Sequence, residues 1–398
     1  MNHPLCETAA TIAAPWQIQV HDDPNLLDAR QWDSLLARQP QPTPFMRLAY
    51  LAALHNSGSA VSATGWQPCF ISVHRDAELV AAAPVYLKSH SYGEYVFDWA
   101  WADAYQRHGM AYYPKLLLAV PFTPVPGSRL LAADDQALEA LLTAVRLLAQ
   151  RSQASSAHLL FHGPTEGAAV AGQGWLLRHA VQFHWQQHEE SPWPDFAAFL
   201  ASLQRDKRKK IQQERRRVAD AGVHFTVHRG AEISAELWAF FHHCYVLTYR
   251  AHQAKPYLKA AFFEAMAQTM PEHWLMFVAR RGDTPIGASL LAIDSASGQA
   301  WGRYWGATEY LPCLHFEACY YQPLQWCMAN GFSRFEGGAQ GEHKMARGLL
   351  PVTTHSAHWL AHPEFSRAVD DFLQREGQGV TAYVDELREH SPFKAATS

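Results

Sequence analysis

The chain of 398 residues repeats one order of elements in its two halves, and this repeat limits the folds available to it. Each half reads as helices, a meander of strands, a helix, a strand, a helix and a last strand. Residues 70–87 can be laid over residues 277–293, which places Asp76 opposite Asp283. The letters agree only weakly, so the repeat is one of pattern, and it predicts mixed α/β sheets. The predicted divisions are a first domain at 16–191, a second at 192–390 and a flexible tail at 1–15.

The stretch from Trp301 to Pro351 gathers polar groups that could form a site. It predicts a strand over 299–306, an apolar helix from Leu314 and a short strand over 333–336. A glycine-rich turn and a short, charged helix follow. Acids, bases and small residues placed just after the carboxyl end of a strand are typical of a catalytic rim.

Two segments of this stretch, FEACYYQ and FEGGAQGEHKMARG, resemble a family of predicted bacterial N-acyltransferases in the FemAB-like branch of the GNAT superfold. KSHSYGEYVFDWAWADAY at 88–105 and PFTPVPGSRLL at 121–131 match as well, so the resemblance covers nearly the whole chain. It implies tandem GNAT-like domains, with the acyl donor held where the strands 299–306 and 333–336 splay apart. It also implies acyl or aminoacyl transfer to an amine, in peptidoglycan biosynthesis, with a cell-wall precursor as the acceptor.

One departure from the GNAT pattern bears on the donor. GNAT acetyltransferases cradle the pyrophosphate of CoA in a glycine-rich loop after the fourth strand. The matching loop here, ATEYLPCL at 307–314, has no glycine. We therefore expect no tightly bound cofactor and favour aminoacyl-tRNA, the donor of FemAB-like proteins, over acyl-CoA, which stays open.

Composition narrows the class of protein further. A net charge of −4 argues against a general nucleic-acid-coating protein. The six cysteines form no CxxC pair, no apolar run is long enough to span a membrane, and no signal peptide is evident. His355 and His358 would face opposite sides of a strand, so we expect no metal site. These features predict a cytoplasmic protein.

N-acyl transfer needs a base for the amine, stabilisation of an oxyanion and a protonated leaving group. Glu336, beside two glycines at a strand end, is the first candidate for the base, and His343 is the second. Glu317 opens a helix, and Tyr304 lies on the donor-side strand. The structural alternatives are a helix cap for Glu336, dipole compensation for Glu317 and an ordinary strand aromatic for Tyr304.

The charged turn after the last glycines predicts an anion site for the donor. Lys344 and Arg347 are three residues apart and share a helical face, and free N–H groups at a helix start would add to them. The alternative is a solvated basic turn that pairs with Glu342. The further residues expected at this cofactor site are Gly338, Gln340 and Gly341.

Polar residues of the first half are candidates for the acceptor site. They recur at nearly every second position, which predicts one polar face on a strand over 92–99. That face could line a cleft between the domains or face solvent. Arg129, after a proline-rich turn, and His315 are added as substrate ligands. The polar residues are Lys88, His90, Tyr92, Glu94 and Asp98.

The run QRDKRKKIQQERRR at 204–217 has eight basic and two acidic residues, a local charge of 8 − 2 = +6. A thin apolar stripe at helical spacing predicts an amphipathic helix. Its basic face is either simply solvated or binds a phosphate-rich partner such as tRNA. The residues expected to contact phosphate are Lys207, Arg208, Lys209 and Lys210.

Three functions remain open on the sequence. The first is a transferase that uses aminoacyl-tRNA to modify a cell-wall precursor. The second is an acyl-CoA-dependent N-acetyltransferase of small molecules, and the third is a non-catalytic RNA- or nucleotide-binding module on a degenerate fold. Thermal stabilisation by CoA but not by tRNA would select the second.

Overall fold

The structure is a computed structural model that describes residues 16–338 and 341–394, so the predicted tail at 1–15 lies outside the described residues. The chain divides into two compact units. The first runs to Ala180 and includes Thr354–Val380; the second is Val181–Thr353 with the chain from Thr381 onwards. The sequence places a boundary at 191/192 and does not anticipate that a late segment belongs to the first unit.

Fifteen strands are described. They are β1 Trp16–His21, β2 Trp66–Pro68, β3 Phe70–Arg75, β4 Glu78–Ala83, β5 Val85–Lys88, β6 Lys115–Leu118, β7 Leu131–Ala132, β8 Ser156–Leu160, β9 Leu176–Gln186, β10 Val223–Arg229, β11 Trp274–Arg281, β12 Thr284–Asp294, β13 Gln299–Ala307, β14 Arg334–Glu336 and β15 Leu350–Leu360.

The described helices are α1 Ala29–Ala37, α2 Leu48–Asn56, α3 Trp99–Arg107, α4 Asp135–Arg151, α5 Pro164–Ala171, α6 Phe196–Ser202, α7 Arg205–Asp220, α8 Ala235–Ala251, α9 Ala260–Thr269, α10 Leu314–Phe316, α11 Gln322–Ala329 and α12 Pro363–Glu389. A π-helical segment, Glu317–Tyr321, joins α10 to α11, and a 3₁₀ helix spans Glu342–Arg347.

The first unit holds a sheet in the order β1-β3-β4-β7 and a run in the order β2-β5-β6-β8-β15. Strands β6 and β8 are parallel, as a connection through α4 requires. Helix α4 begins at the N-cap Asp134, whose carboxylate accepts from Ala137 N, and its apolar face packs into the core formed by β3 and β4.

In the second unit the strands form one continuous run in the order β10-β11-β12-β13-β14-β9. Asp283 lies in the tight turn between β11 and β12, as Asp76 does between β3 and β4. The predicted correspondence of the two hairpins is therefore confirmed. Below the sheet, α6 and α11 bury their apolar faces against Phe335 and its neighbours.

Strands β13 and β14 separate as predicted. They pair in parallel only at Gln299–Arg334, Ala300–Phe335 and Trp301–Glu336. Beyond Trp301, β13 continues to Ala307 against β12 alone. The second half of β13 is thus not paired with β14, and its Trp305 carbonyl accepts from Thr248 Oγ1 at 2.9 Å.

The prediction of a strand over 92–99 is wrong. Strand β5 ends at Lys88, and α3 already begins at Trp99. Between them Gly93 (φ +82°) and Tyr95 (φ +63°) take left-handed conformations, which a strand excludes. The alternating polar residues follow an irregular loop whose charged groups turn inward.

Candidate active site

A cavity of about 120 Å³ lies in the second unit where β13 and β14 separate. Its wall combines the middle of β12, the second half of β13, the helix that starts at Leu314 and the glycine turn after β14. Three residues proposed from the sequence, Tyr304, His315 and Gly338, therefore line one cavity. The lining residues are Ser289, Leu290, Leu291, Gly302, Arg303, Tyr304, Trp305, His315, Cys319, Tyr320, Gly337 and Gly338.

The π-helical segment places two lining residues that the sequence did not single out, Cys319 and Tyr320. Single π turns are frequent at functional sites because they shift side chains relative to a regular helix. The Ser289 hydroxyl donates to Ala318 O at 2.6 Å and ties this segment to β12. The apolar spacing of the sequence shows a helix here but carries no signal for its wider turn.

Lys344 lies beside the cavity rather than on the surface. Its side chain is 2% exposed, and Nζ donates to Gly338 O at 2.7 Å. Burial lowers the pKa of its ammonium group to about 8, with the Cys319 thiol acting in the opposite direction. A positive charge is thus held next to the glycine turn in a setting that screens it little.

His343 is exposed but connects to the cavity through Tyr320. The Tyr320 hydroxyl and His343 Nε2 are 3.2 Å apart. Burial lowers the pKa of His343, and the charges of Arg347 and Lys344 lower it further. The imidazole is therefore neutral at pH 7 and able to accept a proton.

Glu336 ends β14, and its carboxylate is 5% exposed. It lies opposite His184 on β9, with Oε1 3.8 Å from His184 Nδ1. Burial lowers the pKa of His184 to about 3, so this imidazole is neutral. Glu336 borders the glycine turn and is not among the residues that line the cavity.

Arg347 and Glu317 are held by α7. The Arg347 guanidinium donates to Glu214 at 2.9 and 3.1 Å, and Glu317 accepts from Arg215 Nε at 3.1 and 3.2 Å. Arg347 is 3% exposed, and its guanidinium lies over the Phe316 ring, with Cζ 3.6 Å from the ring centroid. Because these ion pairs occupy both groups, Arg347 is not assigned to the donor site and Glu317 is not assigned a catalytic role.

Tyr304 and His315 both line the cavity. The Tyr304 hydroxyl accepts from Arg303 at 3.1 Å, and its ring contacts Tyr245. Burial, together with neighbouring His343, Arg347 and Lys344, lowers the pKa of His315 to about 4. Gly338 and Gly341 have positive φ in the turn, whereas Gln340 lies outside the described residues.

Two of the polar candidates of the first unit, Glu94 and Asp98, meet at a residue that sequence reasoning missed, Lys115. Its buried Nζ donates to Glu94 at 2.7 Å and forms an ion pair with Asp98. Lys88 stacks over Trp66 with Nζ 3.9 Å from Glu94. Burial lowers the pKa of Lys88 to about 7 and raises that of Glu94 to about 7. The sequence signal that could have identified Lys115 is its position as the one charged residue of the otherwise apolar strand KLLL.

Arg129 is turned into its own loop. The side chain is 1% exposed, and NH1 donates to Gly127 O at 3.1 Å. The same loop binds back to the end of β8, where Gly127 N donates to Phe161 O at 3.0 Å. Arg129 thus stabilises the proline-rich turn and presents no donors to an external anion.

Helix α7 is amphipathic, as predicted. Ile211, Glu214 and Val218 are buried, while Lys209 and Lys210 are exposed. Lys207 pairs with Asp206 at 3.0 Å. Because the buried side holds the 3₁₀ helix and the π segment, the basic face lies on an element attached directly to the cavity.

His355 and His358 have separate partners. His355 Nδ1 is 3.0 Å from His179 Nδ1, and His358 Nδ1 is 2.7 Å from His158 Nδ1. Within residues 16–338 and 341–394 no group of three His, Cys, Asp or Glu is placed to hold a metal ion. Among the same described residues, no helix combines the length and apolar character needed to cross a bilayer.

The corresponding hairpins of the two units, and the cavity of the second unit where β13 and β14 separate, define a tandem GNAT-like acyltransferase fold. The chain belongs to the FemAB-like family, described as peptidoglycan biosynthesis/recognition, which matches residues 24–395. The predicted resemblance is thus confirmed. Family and fold support a transferase that moves acyl or aminoacyl groups in peptidoglycan-related processes. No curated protein matches the sequence.

Solved structures share the fold at low sequence identity. FemX is 12% identical with a TM-score of 0.51, over 86% of this chain and 98% of FemX. L-PGS from Bacillus licheniformis is 10% identical with a TM-score of 0.51, over 87% and 97%. A conserved protein of unknown function from Bacteroides thetaiotaomicron is 9% identical with a TM-score of 0.52, over 86% and 100%. These likenesses show the fold alone.

Proposed function

We propose that the second unit forms an amide by transferring an aminoacyl group from aminoacyl-tRNA to an amine of a cell-wall precursor. The observation that carries this proposal is the buried Lys344 ammonium beside the cavity where β13 and β14 separate. A fixed positive charge in a dry site stabilises the oxyanion that forms on the acyl carbonyl. A cytoplasmic location stays part of the proposal.

The chemistry can be assigned to groups at the cavity. The acceptor nitrogen attacks the ester carbonyl, a C–N bond forms, and the C–O bond to the ribose then breaks. The proton lost by nitrogen passes from the cavity through the Tyr320 hydroxyl to neutral His343. A second proton, supplied by solvent or by Tyr304 on the cavity wall, completes the ribose hydroxyl. Glu336 is proposed to orient the glycine turn and the acceptor amine.

The rate should follow a bell-shaped pH profile. It falls on the acid side below pH 6.5, where His343, whose pKa is lowered, becomes protonated, and on the alkaline side near pH 8, where Lys344 loses its charge. His343→Gln should lower the rate at pH 7 about tenfold, less than a buried base would, because solvent can replace an exposed imidazole. Initial rates between pH 5 and 9 test this, and an unchanged acid limb in His343→Gln would exclude the relay.

The exposed face of α7 is proposed to bind the tRNA backbone. Lys209 and Lys210 are exposed, while the buried face of the same helix is fixed to the active-site elements by Glu214 and Arg215. Phosphate contacts position a nucleic acid without reading its sequence. A tRNA whose backbone is bound on the exposed face of α7 would therefore lie on an element that is attached to the cavity wall.

Removal of two charges from α7 should weaken tRNA binding in a salt-dependent way. Each lost phosphate contact reduces the slope of log K against log salt by about 0.7–0.9, so Lys209→Gln/Lys210→Gln should reduce it by about 1.4–1.8. Filter binding between 50 and 200 mM salt measures the slope. The charge-matched control is Arg367→Gln/Arg375→Gln on the exposed face of α12. Equal slopes in both variants, or stabilisation of the wild type by CoA and not by tRNA, would count against this donor.

A further inference from the structure

The loop between β5 and α3, residues 89–98, buries charged groups and exposes aromatic rings. Its carboxylates Glu94 and Asp98 turn inward onto Lys115, which has no exposed surface. Its aromatic rings turn outward: Tyr92 is 57% exposed, Phe97 55%, and Trp99, at the start of α3, 42%. Folding normally places such groups the other way round. The arrangement therefore indicates a requirement other than stability.

The buried half of the loop fixes its conformation. Lys115 Nζ also donates to Ser91 Oγ at 2.8 Å, and Lys88 Nζ donates to Tyr92 O at 3.3 Å. Buried ammonium and carboxylate groups are stabilised only in one closely matched geometry. The loop is thus held rigidly, and its rings lose little freedom when a ligand binds.

Three rings form a continuous row on this frame. The centroids of His90 and Tyr92 are 5.3 Å apart, and those of Tyr92 and Trp99 are 5.1 Å apart. His90 Nδ1 accepts from Tyr92 N at 3.2 Å, so Nε2 carries the proton and donates to Thr64 O at 3.0 Å. The imidazole is therefore a fixed, neutral member of the ring row His90–Tyr92–Trp99.

Two arginines that lie on α3 or contact the loop before it are paired with carboxylates. Arg107 binds Asp103 at 2.9 Å, and Arg178, which also donates to Phe97 O, binds Glu376 at 2.7 Å. Nucleic acids and anionic membranes are bound by unpaired cations. A partner of this surface should thus be neutral, with flat apolar faces and hydroxyl groups, which is the chemistry of a sugar ring.

We propose that the ring row binds neutral N-acetylhexosamine oligosaccharide, the glycan portion of a cell-wall acceptor. This assignment rests on the proposed function for the choice of glycan, and on the ring geometry and paired charges for the site itself. The apolar faces of the sugars would stack on Tyr92 and Trp99, while their polar edges stay in water.

Saturation-transfer NMR with chitotetraose as the probe tests the proposal directly. Wild-type protein should bind it saturably, and Tyr92→Ala/Trp99→Ala should weaken the affinity about tenfold or more. Tyr310→Ala removes a ring that is 91% exposed in the second unit and should leave binding unchanged. Trp99→Phe keeps an aromatic face for stacking, so its affinity for chitotetraose should lie between those of the wild type and the double variant. This variant is the control for a folding defect in the double variant.

Two results would overturn the inference. One is an absence of chitotetraose binding to the wild type. The other is co-sedimentation with phosphatidylcholine vesicles that depends on Tyr92 and Trp99, which would make the row a membrane contact. Binding is measured without turnover, so a failure of the transferase proposal leaves a positive binding result intact. Conversely, wild-type turnover on a sugar-free amine would survive a failure of glycan binding.

Discussion

Replacement of Lys344 by methionine should reduce the rate of amide formation by about 10²–10³-fold without loss of folding. Loss of one preorganised electrostatic donor from a dry site has effects of this size. The Lys344 side chain is 2% exposed, and its ammonium group lies 2.7 Å from Gly338 O, beside the cavity. Methionine keeps the length and removes a buried charge, so stability should stay equal or rise. Initial rates and thermal unfolding of the same preparation measure both.

Two further variants separate charge from packing at this position. Lys344→Arg keeps the charge and should remove the alkaline limb near pH 8, because arginine stays protonated. Lys255→Met removes an exposed lysine of the second unit and should retain the wild-type rate. Full activity in Lys344→Met would show that oxyanion stabilisation comes from another group.

Local patterns predicted much of what positions the site. The apolar spacing from Leu314 predicts a helix, and the residues before Gly337 predict a short strand. Both predictions rest on the pattern of residues that are close in the sequence. The turn at Asp283 separates two largely apolar runs that are visible in the sequence. The splay of β13 and β14, in contrast, followed from the resemblance to GNAT-like domains and not from local patterns.

Pairings between distant segments were beyond such patterns. Arg347 and Lys344 share a helical face in the sequence, but Glu214, 133 residues away, pairs with Arg347, whereas Lys344 donates to Gly338 O beside the cavity. The loop before α3 imitates a strand by its alternation, whereas its charges are drawn inward by Lys115. Only the folded chain shows which partner a charge finds.

We place the acyl group of the proposed reaction in the gap where β13 and β14 separate. Gly302 lies in the wall of that gap. A Cβ added there would lie 3.4 Å from Glu336 O and 3.5 Å from the Phe335 ring, which is ordinary contact. Alanine therefore fits, whereas we expect the larger valine to narrow the cavity that Gly302 lines and so to displace the acyl group.

Single-turnover transfer from labelled aminoacyl-tRNA by the wild type, Gly302→Ala and Gly302→Val tests this claim most directly. A reacting group displaced by about 1 Å reacts about 10²-fold more slowly. We expect Gly302→Ala to stay near the wild-type rate and Gly302→Val to lose about 10²-fold or more, with tRNA binding and thermal unfolding unchanged. Transfer by a folded Gly302→Val variant at the wild-type rate would contradict the placement of the acyl group in this cavity.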